Sequence, residues 1–178
     1  MNKQINNYII GKKLGNGAFG EIYIGHNKIT GERVAIKKSL DYDVSLKNEC
    51  NILHSFRNCK GIPNARWYGK HEIGNILVMD LLGKQIHTVS IEMINENLNS
   101  YALQLIDTLD FIHKKGFIHR DIKPENILFD LNQKNKLKLI DFGMAKKIIT
   151  YDKKHIPFKT NKSITGTVRY CSINVLMG

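Results

Sequence analysis

Eight consecutive residues, His119-Arg120-Asp121-Ile122-Lys123-Pro124-Glu125-Asn126, place a base, cations and an amide side by side. Fifteen residues after Asn126 stands Asp141-Phe142-Gly143. Carboxylate and amide oxygens are hard donors that suit Mg²⁺, which takes the rest of its shell from water and phosphate. An aspartate can orient a hydroxyl and accept its proton as that hydroxyl attacks phosphorus. Phosphoryl transfer needs such a base and a held metal, because its catalysis is mostly positioning and electrostatics. Asp121, Asn126 and Asp141 are the candidates for these tasks.

A second set lies upstream. Gly15, Gly17 and Gly20 punctuate Leu14-Gly15-Asn16-Gly17-Ala18-Phe19-Gly20-Glu21-Ile22. Residues without Cβ let backbone N–H groups approach phosphate oxygens closely. In a dinucleotide-binding unit such glycines open a helix after a strand. Here an alternating segment, Glu21-Ile22-Tyr23-Ile24, follows them, so the loop joins two strands and the dinucleotide reading fails. Taken alone, the cluster is an ordinary glycine-rich turn. Val34-Ala35-Ile36-Lys37 then puts a lysine on the next strand, a point charge for phosphates, and Glu49 is the carboxylate placed to hold it.

These residues need elements to position them. An apolar run from Tyr8 to Leu14, the alternating segment through Ile24, and Arg33 to Lys37 after the turn Thr30-Gly31-Glu32 read as strands. Asp43 to Phe56 reads as a helix with Val44, Ile52, Leu53 and Phe56 as apolar contacts, and Ile76 to Met79 as a buried strand. Leu98, Tyr101, Ala102, Leu105, Ile106, Leu109, Ile112 and His113 recur at the spacing of one helical face, with Gly116 as the stop. Ile127 to Phe129 and Leu137 to Ile140, split by the polar turn Asn132 to Asn135, form a hairpin.

Totals set bounds. The 178 residues fit one domain or two small lobes sharing a cleft. Cys50, Cys59 and Cys171 form no C-x-x-C pair, which is poor material for disulfides or zinc and suits a reducing compartment. No secretory h-region or membrane-length apolar run is present, so a cytoplasmic or nuclear location is expected. The net charge of +11 favours acidic partners. Seven Lys/Arg against the single acid Asp152 fall between Lys146 and Arg169. A nucleic-acid-binding role rests on charge alone and is set aside.

The glycine loop, Val-Ala-Ile-Lys, His-Arg-Asp to Asn, and Asp-Phe-Gly stand in the order of the protein-kinase motif set. Lys123 and Gly166-Thr167 resemble the serine/threonine class. Where most kinases read Ala-Pro-Glu, this chain reads Ser172-Ile173-Asn174, which is similar to the casein kinase I family, as are Gly61-Ile62-Pro63 and Met79-Asp80-Leu81-Leu82-Gly83. That resemblance implies an α+β, two-lobe fold: a β-rich lobe over residues 1–79, a hinge at 80–83, and a partial helical lobe over 84–178 with an activation segment at 141–174. It implies ATP and Mg²⁺ as reagents, with Leu14 to Ile22 covering the nucleotide. Lys37 would hold the phosphates with Glu49, and Ala35, Ile22 and Leu128 would sandwich the ring. Met79 would guard the adenine pocket, with Asp80 to Leu82 as hinge backbone. Asp121 would be the base, Lys123 would steady the γ-phosphate, and Asn126 and Asp141 would hold Mg²⁺. His119, Phe142 and Leu53 would stack as an internal spine. Lys162 and Arg169 match positions that bind a substrate anion, so acidic or phosphorylated protein substrates are expected. Against the family's length, the chain ends before further helices. The expectation is therefore a fragment, or a reduced chain completed by a partner, and the alternative is a non-catalytic scaffold module derived from a kinase.

Overall fold

The computed structural model describes residues 4–17, 20–39, 45–157, 159 and 163–177. Two units result: Met1–Arg57 with Pro63–Leu82, and Asn58–Ile62 with Gly83–Gly178.

In the first unit the strands are β1 (Gln4–Ile5), β2 (Tyr8–Gly17), β3 (Gly20–Asn27) and β4 (Arg33–Ser39), followed by α1 (Ser45–Ser55), β5 (Ala65–His71) and β6 (Gly74–Asp80). They form one antiparallel sheet in the order β1-β2-β3-β4-β6-β5. Strand side chains alternate between faces. Val34, Ile36, Ile76 and Val78 gather with Ile5 and Tyr8 into a buried cluster, joined by Ile10, Tyr23 and Trp67. The intervening residues take the opposite face. Pairing sets Ile24, Ala35 and Met79 in one cross-strand row and Ile22, Lys37 and Leu77 in the next. The expected helix is α1, which buries Leu46, Glu49, Cys50 and Leu53. Val44, expected within it, lies outside the described residues. Strand β5 was not marked by the sequence pattern, because Ala65-Arg66-Trp67-Tyr68-Gly69-Lys70-His71 alternates poorly.

In the second unit α2 (Ile91–Lys114) is followed by β7 (Phe117–Ile118), β8 (Ile127–Phe129), β9 (Leu137–Leu139), β10 (Lys146–Lys147) and α3 (Ile173–Met177). Helix α2 starts seven residues before the first periodic residue, Leu98, because Ser90 caps it by accepting from the Met93 N–H at 3.4 Å. Its packed face keeps part of the expected one, Tyr101 and Ile112, and is rotated from the rest. Tyr101, Thr108 and Ile112 are buried, whereas Leu98 and Ile106 are 54% and 60% exposed. The reason is polar. Gln104 donates to the Asn135 carbonyl at 3.1 Å and accepts from the Leu137 N–H at 3.0 Å. Tyr101 meets Phe129 edge to face at 5.7 Å. Hydrogen bonds to the β8–β9 hairpin, invisible to apolar periodicity, therefore choose the rotation of the helix. That hairpin pairs Ile127 with Leu139 and Phe129 with Leu137, as its sequence indicates. Residues 58–62, placed in the first lobe by sequence order, group with the second unit. There Gly61 accepts from the Leu139 N–H at 2.8 Å and Ile62 from Lys138 Nζ at 3.3 Å.

Candidate active site

Each unit carries a cluster of chemically competent groups. In the first, β2 and β3 form a hairpin in which Gly15 pairs with Ile22, Asn16 with Glu21 and Gly17 with Gly20. Gly20 has φ +135°, and a Cβ there would strike the Lys38 carbonyl oxygen, so only glycine fits. Ala18 and Phe19, at the tip, lie outside the described residues. Lys37 projects from β4 and pairs with Glu49 of α1 at 2.7 Å. Both are buried, at 5% and 2% exposure. A buried charge without a partner is very costly, so each of these residues requires the other. Ile22 and Ala35 are half-buried, as is Met79. Leu14 is exposed at the edge of the hairpin.

Two expected nucleotide contacts have other work for their side chains. The Glu21 carboxylate is held by Lys13 at 2.6 Å, Tyr23 at 3.0 Å and Lys38 at 3.2 Å. The Asp80 carboxylate accepts from the Asn64 N–H at 2.8 Å and from Arg66 Nε at 2.7 Å, tying β6 to β5. What Glu21 and Asp80 offer a ligand is therefore backbone. Leu82, also a hinge candidate, is half-buried.

In the second unit the segment after β7 is built from unusual backbone. Arg120 has φ 71° and Asp141 φ 65°, both in the left-handed region that side chains rarely adopt. His119 is buried. Its Nδ1 accepts from the Asp121 N–H at 3.2 Å, so Nε2 carries the proton donated to the Ile140 carbonyl at 3.0 Å. Burial pushes the His119 pKa down. Its ring meets Phe142 edge to face at 4.8 Å. Leu53, the third expected spine member, is buried within the first unit. Arg120 Nε donates to the Met144 carbonyl at 2.6 Å, linking this segment to the one that follows Asp141.

Asp121 is the hub. Oδ1 accepts from the Thr167 N–H at 2.9 Å and its hydroxyl at 2.7 Å. Oδ2 lies 2.7 Å from Lys123 Nζ and 3.2 Å from Asn126 Nδ2. Burial alone would raise the carboxyl pKa, but the bonds from Lys123 and Thr167 outweigh it, and the net shift is downward. Lys123 also donates to Thr167 Oγ1 at 2.8 Å, which closes a ring of three side chains. Gly166 makes this approach possible: its φ is +99°, and a Cβ there would strike the Arg120 carbonyl oxygen.

Asn126 donates its amide to the Asp121 carbonyl at 2.8 Å, leaving its own side-chain oxygen as the donor atom for a ligand. The Ile140 N–H donates to the Asn126 carbonyl at 2.9 Å, which brings Asp141 next to this turn. Among the described residues no group of three His, Cys, Asp or Glu converges, so an all-protein metal cage is absent there. Two hard oxygen donors, Asn126 and Asp141, fit a cation that completes its shell from phosphate and water. Leu128 is half-buried on β8, bridged to Gln85.

Thr167 is the residue whose contribution the sequence concealed. It marks a residue class there, but nothing in the 46 residues separating it from Asp121 announces a contact. Arg169 is exposed, with its guanidinium 5.9 Å from the Tyr170 ring centre. Lys162 lies outside the described residues. A cavity of about 760 Å³ opens in the second unit, lined on its apolar side by Ile118, Ile122, Ile148 and Ile156, with Arg120 and Lys146. The family model described as protein kinase domain matches residues 8–178.

Proposed function

The chain belongs to the protein kinase family, and from that premise we propose that it transfers the γ-phosphate of ATP to serine or threonine hydroxyls in the manner of casein kinase I. The observation that carries this reading is the closed ring of Asp121, Lys123 and Thr167.

In this reading Lys37, held by Glu49, binds the nucleotide phosphates, and the glycine hairpin covers them. Ile22, Ala35 and Leu128 contact the adenine, bounded by Met79 with hinge backbone from Asp80 to Leu82. Asn126 and Asp141 would hold Mg²⁺, which when bound would offset negative charge on the phosphates. Asp121 accepts the substrate hydroxyl proton as its oxygen forms the bond to the γ-phosphorus and the bond to the ADP oxygen breaks. A carboxylate has about four lone-pair sites, and Thr167, Lys123 and Asn126 fill all four. Lys123 therefore has to turn from Asp121 towards the γ-phosphate to free Oδ2 for the substrate. One lysine thus offsets phosphate charge and uncovers the base in a single movement.

Lys123 and Thr167 together support serine/threonine specificity. The exposed Arg169 suits a phosphate or carboxylate on the substrate, since its planar fork donates two parallel hydrogen bonds. Lys162 is proposed beside it. Substrates are thus acidic or already phosphorylated proteins, met in the cytoplasm or nucleus. No helix among the described residues is long and apolar enough to cross a membrane. A covering partner chain is proposed for the apolar side of α2, where Leu98, Leu103 and Ile106 are exposed. Each such side chain forgoes about 1.5–3 kcal/mol when left in water. The same exposed face favours the second reading, a scaffold module that binds through α2 without catalysis.

The test is transfer from labelled Mg·ATP to casein and to an acidic serine peptide, with Asp121→Asn in parallel. Transfer that disappears in the variant supports the kinase reading. Equal activity in both proteins would sink it, and no activity in either, with or without candidate partners, favours the scaffold. The anion site is judged by Arg169→Ala, which should slow phospho-primed peptides more than unprimed ones.

A further inference from the structure

The glycine hairpin is tied unevenly to the rest of its sheet. Pairing of β2 with β3 is regular from Tyr8↔Asn27 to Ile10↔Gly25, then shifts twice, between Ile10 and Lys13 and again between Lys13 and Gly15. Each shift interrupts the ladder and lets the strand bend. The backbone ladder is therefore interrupted between Ile10 and Gly15, just below the residues assigned to the phosphates.

One carboxylate bridges the irregular stretch. Glu21 on β3 takes Lys13 of β2 on Oε1 and Lys38 of β4, with the Tyr23 hydroxyl, on Oε2. Lys38 stands directly opposite Glu21 in the β3–β4 register, and Lys13 opposite Tyr23. Three adjacent strands are thus joined at the place where the backbone ladder slips. The bridge begins one residue after Gly20, where a Cβ would strike the Lys38 carbonyl oxygen. Hydrogen bonds from Lys13 first, then from Lys38 and Tyr23, lower the Glu21 carboxyl pKa to about 2, so it stays charged at neutral pH.

The face matters as well. Glu21 and Tyr23 alternate with Ile22, and Lys38 with Lys37, so the bridge lies on the sheet face away from the Ile22–Lys37–Leu77 row. It does not compete for a nucleotide on that row. It fixes the strand that carries Ile22 from behind, and the neighbours Lys37 and Lys38 serve one face each.

We propose that Glu21, clamped between Lys13 and Lys38, is a positioning residue that sets the glycine hairpin for phosphate binding. The proposal rests on the nucleotide-binding reading above, and it is tested by two measurements, one of which does not depend on that reading. Amide hydrogen exchange over residues 14–22 and calorimetric affinity for Mg·ATP and for adenosine are compared in the full chain and in Glu21→Gln, Lys13→Met and the double variant. The expected result is faster exchange in the hairpin and a roughly three- to tenfold weaker Mg·ATP affinity, as suits a partly exposed ionic network. Adenosine affinity should stay nearly unchanged, and the double variant should be no worse than Glu21→Gln, because both single changes break one bridge. Unchanged exchange and Mg·ATP affinity in the folded variants overturn the clamp. So does an equal loss for adenosine and Mg·ATP, which marks general loosening of the unit. A wild-type chain that binds no nucleotide defeats the binding reading instead, and hairpin exchange then decides the clamp alone.

Discussion

The two units hold their charged groups by opposite means. In the first, Lys37 and Glu49 project from regular elements, a central strand and a helix, and meet in a dry interior at 2.7 Å. In the second, Asp121, Lys123 and Thr167 sit on irregular chain, and Arg120 and Asp141 beside them occupy the left-handed region. The first arrangement makes a fixed point charge, since both members are buried and each is carried by a regular element. The second makes an exchangeable set, because each bond to Asp121 is one of four and Lys123 has a second partner in the Thr167 hydroxyl. A group that anchors belongs on the sheet, and groups that must swap partners belong on loops held by a few strained residues.

Substitutions can break that contrast, and the largest effect is expected at the base itself. Asp121→Asn should lower phosphoryl transfer by about 100- to 10 000-fold, the usual contribution of general acid–base catalysis, with little change in thermal unfolding. A loss of folding in parallel would mean that Asp121 is an anchor like Glu49. Next comes the anchor. Glu49→Ala leaves Lys37 charged and buried, and chemical denaturation should show a loss of about 3–5 kcal/mol. A loss below ~1 kcal/mol would place the pair among solvent-screened ion pairs.

A smaller effect follows from His119. Its pKa is depressed in the folded chain below the ordinary value of 6.5, mainly by burial. Above that value both states are neutral and no pH dependence arises. Below it the unfolded state gains a proton first, so stability falls with pH until the folded value is reached, at up to about 1.4 kcal/mol per pH unit. Denaturant titrations at pH 5 and pH 7.5 should show this slope in the wild type and a flatter one in His119→Asn. The smallest change is expected for Thr167→Val, which keeps the shape and removes both hydroxyl bonds, the one from Lys123 and the one to Asp121, at about 1–2 kcal/mol in all. Because the bond to Asp121 helps hold that carboxyl pKa down, its loss should move the acid limb of the kcat/KM profile to higher pH. An unmoved limb would detach Thr167 from the base.

Much of the fold was legible because it is local. The strand around Ile22 follows from alternation, the one around Lys37 from the turn before it, the one around Val78 from a continuous apolar run, and the β8–β9 hairpin from two apolar runs about a polar turn. The glycine cluster was readable as a strand-to-strand loop from the alternation after Gly20. β5 was not legible, for want of period, and the face of α2 only in part: Tyr101 and Ile112 were expected and are buried, whereas the contribution of Gln104 through the hairpin left no apolar signal.

The sequence by itself determined which chemistry the chain can carry: an Asp and an Asn five residues apart, an Asp-Phe-Gly beyond them, and a lysine on a strand with a glutamate ahead of it. These are statements of residue type and short spacing, and local geometry follows from short spacing. Tertiary structure alone decided who touches whom across long separations. It brought Thr167 onto Asp121, turned the Glu21 carboxylate to Lys13 and Lys38, and left Leu98 and Ile106 of α2 exposed while burying Thr108. Those outcomes depend on the summed packing and hydrogen bonding of distant segments, which no single stretch of the chain encodes.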